Sequence, residues 1–402
     1  MKKVSLRLCP ICSCNLCEVL HTLRFVLPEG NPLQNGYDVV CCERCGFIYA
    51  DITAPQKDYD AFYSEFSKYE DTSISAGGGE TTFDAERLQR TATCIADSLP
   101  DRKARIIDIG CATGGLLKSL KAMGYQKLVG LDPSPICVSR TIANVGIEAF
   151  VGSLSSLDAR LEKYDCVVLC HVIEHVKDLQ NAVVRIKNLM SESGLAYIEV
   201  PDATRYAEYL YAPFQDFNTE HVNHFSLISL SNLFSQVTLV PLNQGSGTIH
   251  AAPAIAYPVI YAVFTHAATN SRHKGGILRD TFCVERVKEY IYRSQGMMDK
   301  MDARIKMILD EAPEILAWGT GQLAMKLLAT TCLKEAKIKA FVDGNPINQG
   351  QFINGIEVKS PEQIIGLNYP ILITSTLHQA EIEATIRKYS LPNKIFSLGV
   401  DF

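Results

Sequence analysis

The stretch Ile106-Ile107-Asp108-Ile109-Gly110-Cys111-Ala112-Thr113-Gly114-Gly115 constrains this chain more than any other: an apolar strand runs into a glycine-rich turn and a helical pattern follows. A second apolar strand ends at Asp132, 22 residues after Gly110. Glycines in such a turn let backbone approach a ligand, and an acidic side chain at the end of the second strand binds ribose hydroxyls. The turn reads D-I-G-x-x-x-G-G and not G-x-G-x-x-G, which fits a class I S-adenosylmethionine (SAM) cradle better than a dinucleotide site. Asp108, Gly110, Gly114, Gly115 and Asp132 are the expected cofactor contacts. A purely structural role for Asp132, capping the helix that begins near Pro133, is the competing reading.

Apolar strand patterns at 105–109, 127–131, 149–151, 164–170 and 195–200 alternate with helical patterns at 115–123, 135–143 and 179–190. A helix at 84–98 precedes them, with Leu88, Thr91, Cys94 and Ile95 on one face. This order predicts an α/β fold with a doubly wound parallel sheet, whose ligands lie outside the carboxyl ends of the strands. Ser153, after the third strand, is placed to accept a hydrogen bond near the adenine, where a carboxylate is the stronger acceptor. His171, at the end of the fourth strand, is expected near SAM or substrate. Glu174 and His175 read as an ordinary helix-turn pair that fixes the loop.

Seven of the 14 cysteines lie within residues 9–45, and the others are dispersed through apolar segments as small buried side chains. Cys9-Pro10-Ile11-Cys12 and Cys42-Glu43-Arg44-Cys45-Gly46 form two tight turns able to offer four thiolates to one tetrahedral zinc. Cys14-Asn15-Leu16-Cys17 is a competing pair and Cys41 adjoins Cys42, so spacing alone leaves the ligand set open. Reduced thiols without metal are the other reading. A segment as small as 1–52 has little core, so a metal would supply much of its folding free energy.

A net charge of −5 with scattered Lys and Arg gives no basic footprint for nucleic acid or anionic membrane. The chain opens without a long apolar leader segment, and its most apolar later stretch, 251–268, is broken by Pro253, Pro258 and His266. The expectation is a soluble, cytoplasmic protein with a small-molecule substrate; the oligomeric state is left open. Three domains are expected: a zinc-binding module at 1–52, a SAM-dependent domain at 53–243, and a Rossmann-like domain at 244–402 with a helical lead-in near 284–310. Residues 53–85 read as Tyr-rich and irregular, with a loop at Gly77-Gly78-Gly79. In the last domain, Trp318-Gly319-Thr320-Gly321 opens a G-x-G-x-x-A turn and Asp343 follows Gly321 by 22 residues. A nucleotide site and a tight scaffold turn are equally good readings of that motif.

The densest chemistry lies in Phe214-Gln215-Asp216-Phe217-Asn218-Thr219-Glu220-His221-Val222-Asn223-His224-Phe225-Ser226, after the strand at 197–200. Histidine is the side chain best suited to take a proton near neutral pH, and an adjacent carboxylate can orient it. His221, in a loop expected over the SAM crevice, is the candidate base.

At these residues the chain resembles the three-domain sugar C-methyltransferases of deoxysugar pathways, which act on nucleotide-linked keto-sugars. The C-x-x-C pairs match that family's zinc module, and Asp108 to Gly115 its SAM loop. Residues 214–226 match a segment the family writes approximately as F-D-x-x-Y-H-E-H-L-S-Y-F-S. Trp318-Gly319-Thr320-Gly321 and Phe341-Val342-Asp343-Gly344-Asn345-Pro346-Ile347-Asn348-Gln349-Gly350 look like its Y-G-A-x turn and D-x-N-P-x-K-Q-G signature. The resemblance implies zinc on Cys9, Cys12, Cys42 and Cys45, His221 as base and Glu220 holding the sugar. Two active-site tyrosines of the family are replaced, by Asn218 and His224, which the resemblance places among the catalytic residues here, and the usual G-G-S-L-R stretch is reduced to Gly245-Ser246-Gly247, which marks a divergent branch. O-methylation of a sugar or related hydroxyl is the enzymatic alternative, and a non-catalytic SAM and zinc scaffold the other.

Overall fold

The computed structural model describes residues 1–65, 81–156, 162–252, 255–268 and 276–399. The loop expected at Gly77-Gly78-Gly79 lies outside them. Strands β1 (Lys2–Val4), β2 (Leu16–Arg24), β3 (Gly36–Cys42) and β4 (Ile48–Asp51) open the chain, and helices α1 (Gln56–Glu65) and α2 (Thr82–Ser98) follow. Next come β5 (Arg105–Ile109), α3 (Gly115–Ala122), β6 (Lys127–Asp132), α4 (Pro135–Val145), β7 (Glu148–Val151), β8 (Tyr164–Cys170), α5 (Leu179–Leu189) and β9 (Met190–Pro201). The short strand β10 (Asn223–His224), α6 (Leu227–Ser235), β11 (Leu239–Ala252) and β12 (Ile255–His266) lead to the long helix α7 (Thr281–Glu311). The chain ends with β13 (Glu314–Trp318), α8 (Gln322–Thr330), β14 (Lys337–Val342), β15 (Phe352–Ile353), β16 (Ile356–Lys359), β17 (Ile371–Ile373), α9 (Gln379–Lys388) and β18 (Ile395–Phe396).

These elements form two compact units. The first comprises Met1–Val19, Val40–Tyr209 and Glu220–Val287; the second Leu20–Val39, Leu210–Thr219 and Lys288–Phe402. In the first unit a seven-stranded sheet runs in the order β11-β12-β9-β8-β5-β6-β7. The five strands from β9 to β7 are parallel, as expected, and the β11–β12 hairpin adds two antiparallel strands beside β9. Ile107, Ile109, Val167, Leu169 and Ile198 face one core layer with α5 and α6; Ile106, Val168 and Tyr197 face the other with α2 and α3. Because side chains alternate along each strand, strands apolar at nearly every position fill both layers.

Two sheets take strands from beyond the boundaries expected from the sequence. The apolar stretch 251–268 contains β12, which pairs with β9 from Thr265–Leu195 to Val259–Pro201. The methyltransferase-type sheet therefore continues past residue 243, and the first unit ends at Val287. Residues 1–52 form the expected cysteine-rich module, whose sheet runs β1-β2-β3-β4-β10 and takes its fifth strand from residues 223–224. Residues 56–65, expected to be irregular, form helix α1.

The second unit has a six-stranded sheet in the order β15-β16-β14-β13-β17-β18, parallel except for the β15–β16 pair, over a core of Leu316, Trp318, Val342, Ile371 and Ile373. Its Asp343 accepts hydrogen bonds from Thr320 N at 2.9 Å and Thr320 Oγ1 at 2.5 Å, from Asn345 N at 2.8 Å and from Asn348 Nδ2 at 3.1 Å. A carboxylate has about four lone-pair sites, and this one spends them on its own turn. The arrangement favours the scaffold reading of the second glycine turn. No described helix is long and apolar enough to cross a membrane.

Candidate active site

The glycine turn after β5 is held in shape by residues the fold cannot easily exchange. Gly110 has φ +80°, and a Cβ there would lie 2.6 Å from Val172 Cγ2; Gly114, at φ +86°, starts α3 and would bring a Cβ within 3.0 Å of Val145 and Thr141. Asp132 at the end of β6 accepts Ala112 N through Oδ2 and Ser134 N through Oδ1, both at 2.9 Å. The cap of α4 is Ser134, which accepts from Cys137 N, so the helix-cap reading of Asp132 does not describe this turn. Asp132 instead ties the glycine turn to its own strand end. Asp108 is buried, and burial followed by the nearby Asp132 pushes its carboxyl up to about 7. Gly115 is buried in the first turn of α3, while Ser153 bonds to Ser155 and Ser156 in the loop after β7.

Asp132→Ala is expected to weaken SAM binding roughly 10- to 150-fold, the range for losing one hydrogen bond to a charged group. Isothermal titration reads this directly. Unchanged affinity would move the site, with Gly319 to Gly321 as the next candidate.

The loop after β8 joins this turn to the histidines. His171 sits in left-handed backbone, φ +56°, and its N–H donates to Glu199 O at 2.8 Å. Its Nδ1 is 3.3 Å from Glu174 Oε1 and its Nε2 3.5 Å from Glu199 Oε1. Burial works against the imidazolium, but the two carboxylates outweigh it and raise His171 to about 9. A histidine protonated at neutral pH cannot accept a proton, so His171 is a fixed charge and not a base. Glu199 is buried and also accepts from Tyr197 OH at 3.1 Å. Glu174 is 1% exposed, and neither of its carboxylate oxygens has a hydrogen bond among the described residues. Its charge is met by the His171 imidazolium, 3.3 Å away. The glycine cradle is the feature that suits SAM.

One residue further, His175 departs from the plain turn role. Its ring meets His221 edge-to-face with centroids 4.9 Å apart, and its Nδ1 is 3.1 Å from Glu220 O and 2.8 Å from Tyr63 OH. Nδ1 has a partner in either tautomer, donating to Glu220 O or accepting from Tyr63 OH. Tyr63, on α1, donates to Glu220 Oε2 at 3.4 Å. Ligand atoms of Glu174, His175 and His221 all lie within 4.8 Å of one another, the reach of a shared cation.

Two of the expected catalytic residues fall elsewhere. His224 is 1% exposed on β10, its Nδ1 3.3 Å from Tyr206 OH, and burial lowers it to about 3. Both residues of this two-residue strand are buried, so His224 is a core residue. Asn218 is part of the second unit, where its carbonyl accepts from Tyr37 OH at 2.6 Å. His175, Tyr63 and Glu199 join the site unannounced by the sequence, although the strand-end argument that singled out His171 extends to His175.

The four cysteines expected to hold zinc meet in the first unit. Cys9 Sγ lies 3.5 Å from Cys45 Sγ, Cys12 Sγ 3.4 Å from Cys42 Sγ, and all four sulfurs fall within 4.8 Å of one another. A tetrahedron with Zn–S bonds of about 2.3 Å has edges of roughly 3.8 Å, so the set fits. Hydrogen bonding to the other thiols, then burial, holds Cys9 above the usual thiol range; a dication removes that penalty by binding thiolates. Gly46, φ +75°, ends the second knuckle where a Cβ would lie 2.8 Å from Asp280 O. Cys14, Cys17 and Cys41 direct their sulfurs to the carbonyls of Leu16, Lys3 and Cys42 instead.

Residues 82–242 match the family described as "Methyltransferase domain", and residues 311–396 the one described as "C2185-like, N-terminal". A ubiquinone biosynthesis O-methyltransferase of Azorhizobium caulinodans is 31% identical over 110 residues, 26% of this chain and 43% of that protein. An uncharacterized methyltransferase of Alkaliphilus oremlandii is 25% identical over 143 residues, 34% of this chain and 64% of that protein. The chain thus spans about half the length of the curated relatives it matches. Among solved structures, magnesium protoporphyrin IX methyltransferase of Synechocystis PCC 6803 with bound SAH aligns with TM-score 0.42 at 13% identity, over 53% of this chain and 100% of that one. Residues 82–242, with their parallel sheet and glycine turn, are a SAM-dependent methyltransferase domain.

Proposed function

We propose that the chain is a SAM-dependent C-methyltransferase acting on a nucleotide-linked keto-sugar, with His221 as the base. The observation that carries this reading is the His175–His221 pair, whose His175 follows β8, the strand beside β5 and its glycine turn. The resemblance of residues 214–226 and of the cysteine module to sugar C-methyltransferases supports the substrate class.

A ketone acidifies the neighbouring C–H, and His221 takes that proton. The electron pair of the broken bond passes into the enolate, whose carbon forms the new bond. SAM supplies an electrophilic methyl on a positively charged sulfur, which leaves as a neutral thioether. The imidazolium formed at His221 faces the Glu174 carboxylate within 4.8 Å, which stabilises it. His175, held through Nδ1 by Tyr63 OH and Glu220 O, meets the His221 ring at its edge. Zinc on Cys9, Cys12, Cys42 and Cys45 is structural in this reading, since four thiolates leave no open coordination position.

O-methylation is the second reading, favoured by the names of the curated relatives. The test is incubation with SAM and a panel of nucleotide-linked keto-sugars, followed by mass spectrometry and NMR of the product. The expected product carries its new methyl on the carbon beside the ketone. A methyl on oxygen would overturn C-methylation, and no turnover of any keto-sugar would overturn the substrate class.

A further inference from the structure

The base loop is built onto the cysteine module. Asn223 pairs with Tyr49 and His224 with Ile48, and Ala50 N donates to Val222 O at 3.0 Å, so the residues that follow His221 extend the sheet carrying the thiolates. Arg7, two residues before Cys9, lies at this junction and is 9% exposed. Its Nη2 donates to Val222 O at 2.9 Å and to Asn223 Oδ1 at 3.0 Å; its Nη1 donates to Lys177 O at 3.3 Å. Its guanidinium lies over the Tyr49 ring, 5.0 Å from the centroid.

Asn223 passes the restraint on. Its Nδ2 donates to Ile173 O at 3.0 Å and to Val176 O at 2.7 Å, while Val222 N donates to Glu174 O at 2.9 Å. One guanidinium therefore fixes the backbone on the far side of His221 and the backbone around His175. Arg7 is itself anchored, because its N–H and that of Leu6 donate to Asp51 Oδ1 at 3.1 and 2.8 Å, and Asp51 Oδ2 pairs with Lys3 at 2.8 Å. The side-chain partners described for Arg7 are carbonyl and amide oxygens, read by a planar fork in a geometry a lysine ammonium does not reproduce.

We propose that Arg7 is a positioning residue for the His175–His221 pair, and that the cysteine module serves as the scaffold of the catalytic loop. The inference rests on the proton-transfer reading of His221. Arg7 touches no reacting atom and acts through Val222 and Asn223.

The test uses the full chain with Arg7→Lys, Asn223→Ala and the double variant, reading zinc content, SAM affinity, kcat and KM on the accepted keto-sugar, and the ring NMR signals of His175 and His221. Zinc per chain and SAM affinity are expected to stay within about twofold of wild type. Each single variant should lose about 10- to 100-fold in kcat with little change in KM, the scale expected for a displacement near 1 Å. Because both residues act through one loop, the double variant should lose no more than the worse single one. The His175 and His221 ring signals should shift.

Wild-type kcat and unshifted ring signals in Arg7→Lys would overturn the proposal. So would losses that multiply in the double variant, or turnover that falls only in step with zinc or SAM binding. If wild type turns over no keto-sugar, the substrate reading fails on its own, and the ring signals still decide whether Arg7 positions the pair. Asn223→Ala carries the same decision should Arg7→Lys fail to fold.

Discussion

Replacing His221 by asparagine is expected to leave SAM affinity intact and to lower turnover by roughly 10²- to 10⁴-fold, the usual contribution of a positioned base. Asparagine keeps a polar group near the same volume but accepts no proton at neutral pH. The decisive readout separates proton removal from methyl transfer. Wild type in heavy water, given a keto-sugar and S-adenosylhomocysteine, should wash deuterium into the carbon beside the ketone, and His221→Asn should not. An O-methyltransferase has no reason to exchange that proton. His171, held charged by Glu174 and Glu199, cannot substitute for the missing base. Exchange that persists in His221→Asn would assign the base to another residue, with His175 the first to examine.

Loss of one thiolate should have the largest effect on stability. A structural zinc in a small module contributes roughly 10–16 kcal/mol of folding free energy, so removing a quarter of its ligands costs about 3 kcal/mol or more. For a unit of this size that lowers Tm by roughly 6–12 °C, and Cys9→Ser and Cys45→Ser are expected to be unstable or insoluble. Cys14→Ser, whose sulfur lies outside the cluster, should keep its metal. Elemental analysis of wild type should find one zinc per chain. If Cys9→Ser and Cys45→Ser stay folded with full zinc, the ligand set is wrong. Two metal ions per chain would put a cation on Glu174, His175 and His221, and would take the His221 lone pair out of proton chemistry.

The parts of the fold written in local pattern were legible in the sequence. The β5 turn, Asp132 and the two C-x-x-C knuckles declare themselves within a few residues of chain, because strand alternation, glycine and metal spacing are short-range signals. The β11–β12 hairpin did not. Pro253 and Pro258 argue against a strand, yet Pro258 precedes the first residue of β12 that pairs with β9, where a missing N–H is tolerated. His221 was legible as a histidine beside a carboxylate. Its partners were not: Tyr63 reaches the site from α1 and His175 from the turn after β8, a convergence made by tertiary packing alone. His224 misled because proximity in sequence to a base says nothing about burial: both residues of β10 lie in the core.

The shared sheet of the cysteine module also sets an order of assembly. Cys9 and Cys45 close a loop of 36 positions, whereas Asn223 reaches Tyr49 across 174. Loop-closure entropy grows with length, and contacts distant in sequence form late. The C-x-x-C knuckles are therefore expected to close early, and β10 to dock only after the parallel sheet has collapsed. Until then β4, whose four residues are all buried in the finished protein, presents an unpaired edge. That interval, between a folded module and the arrival of its last strand, is when one nascent copy is most exposed to pairing with another, and slow synthesis or heat should show itself there first as aggregation.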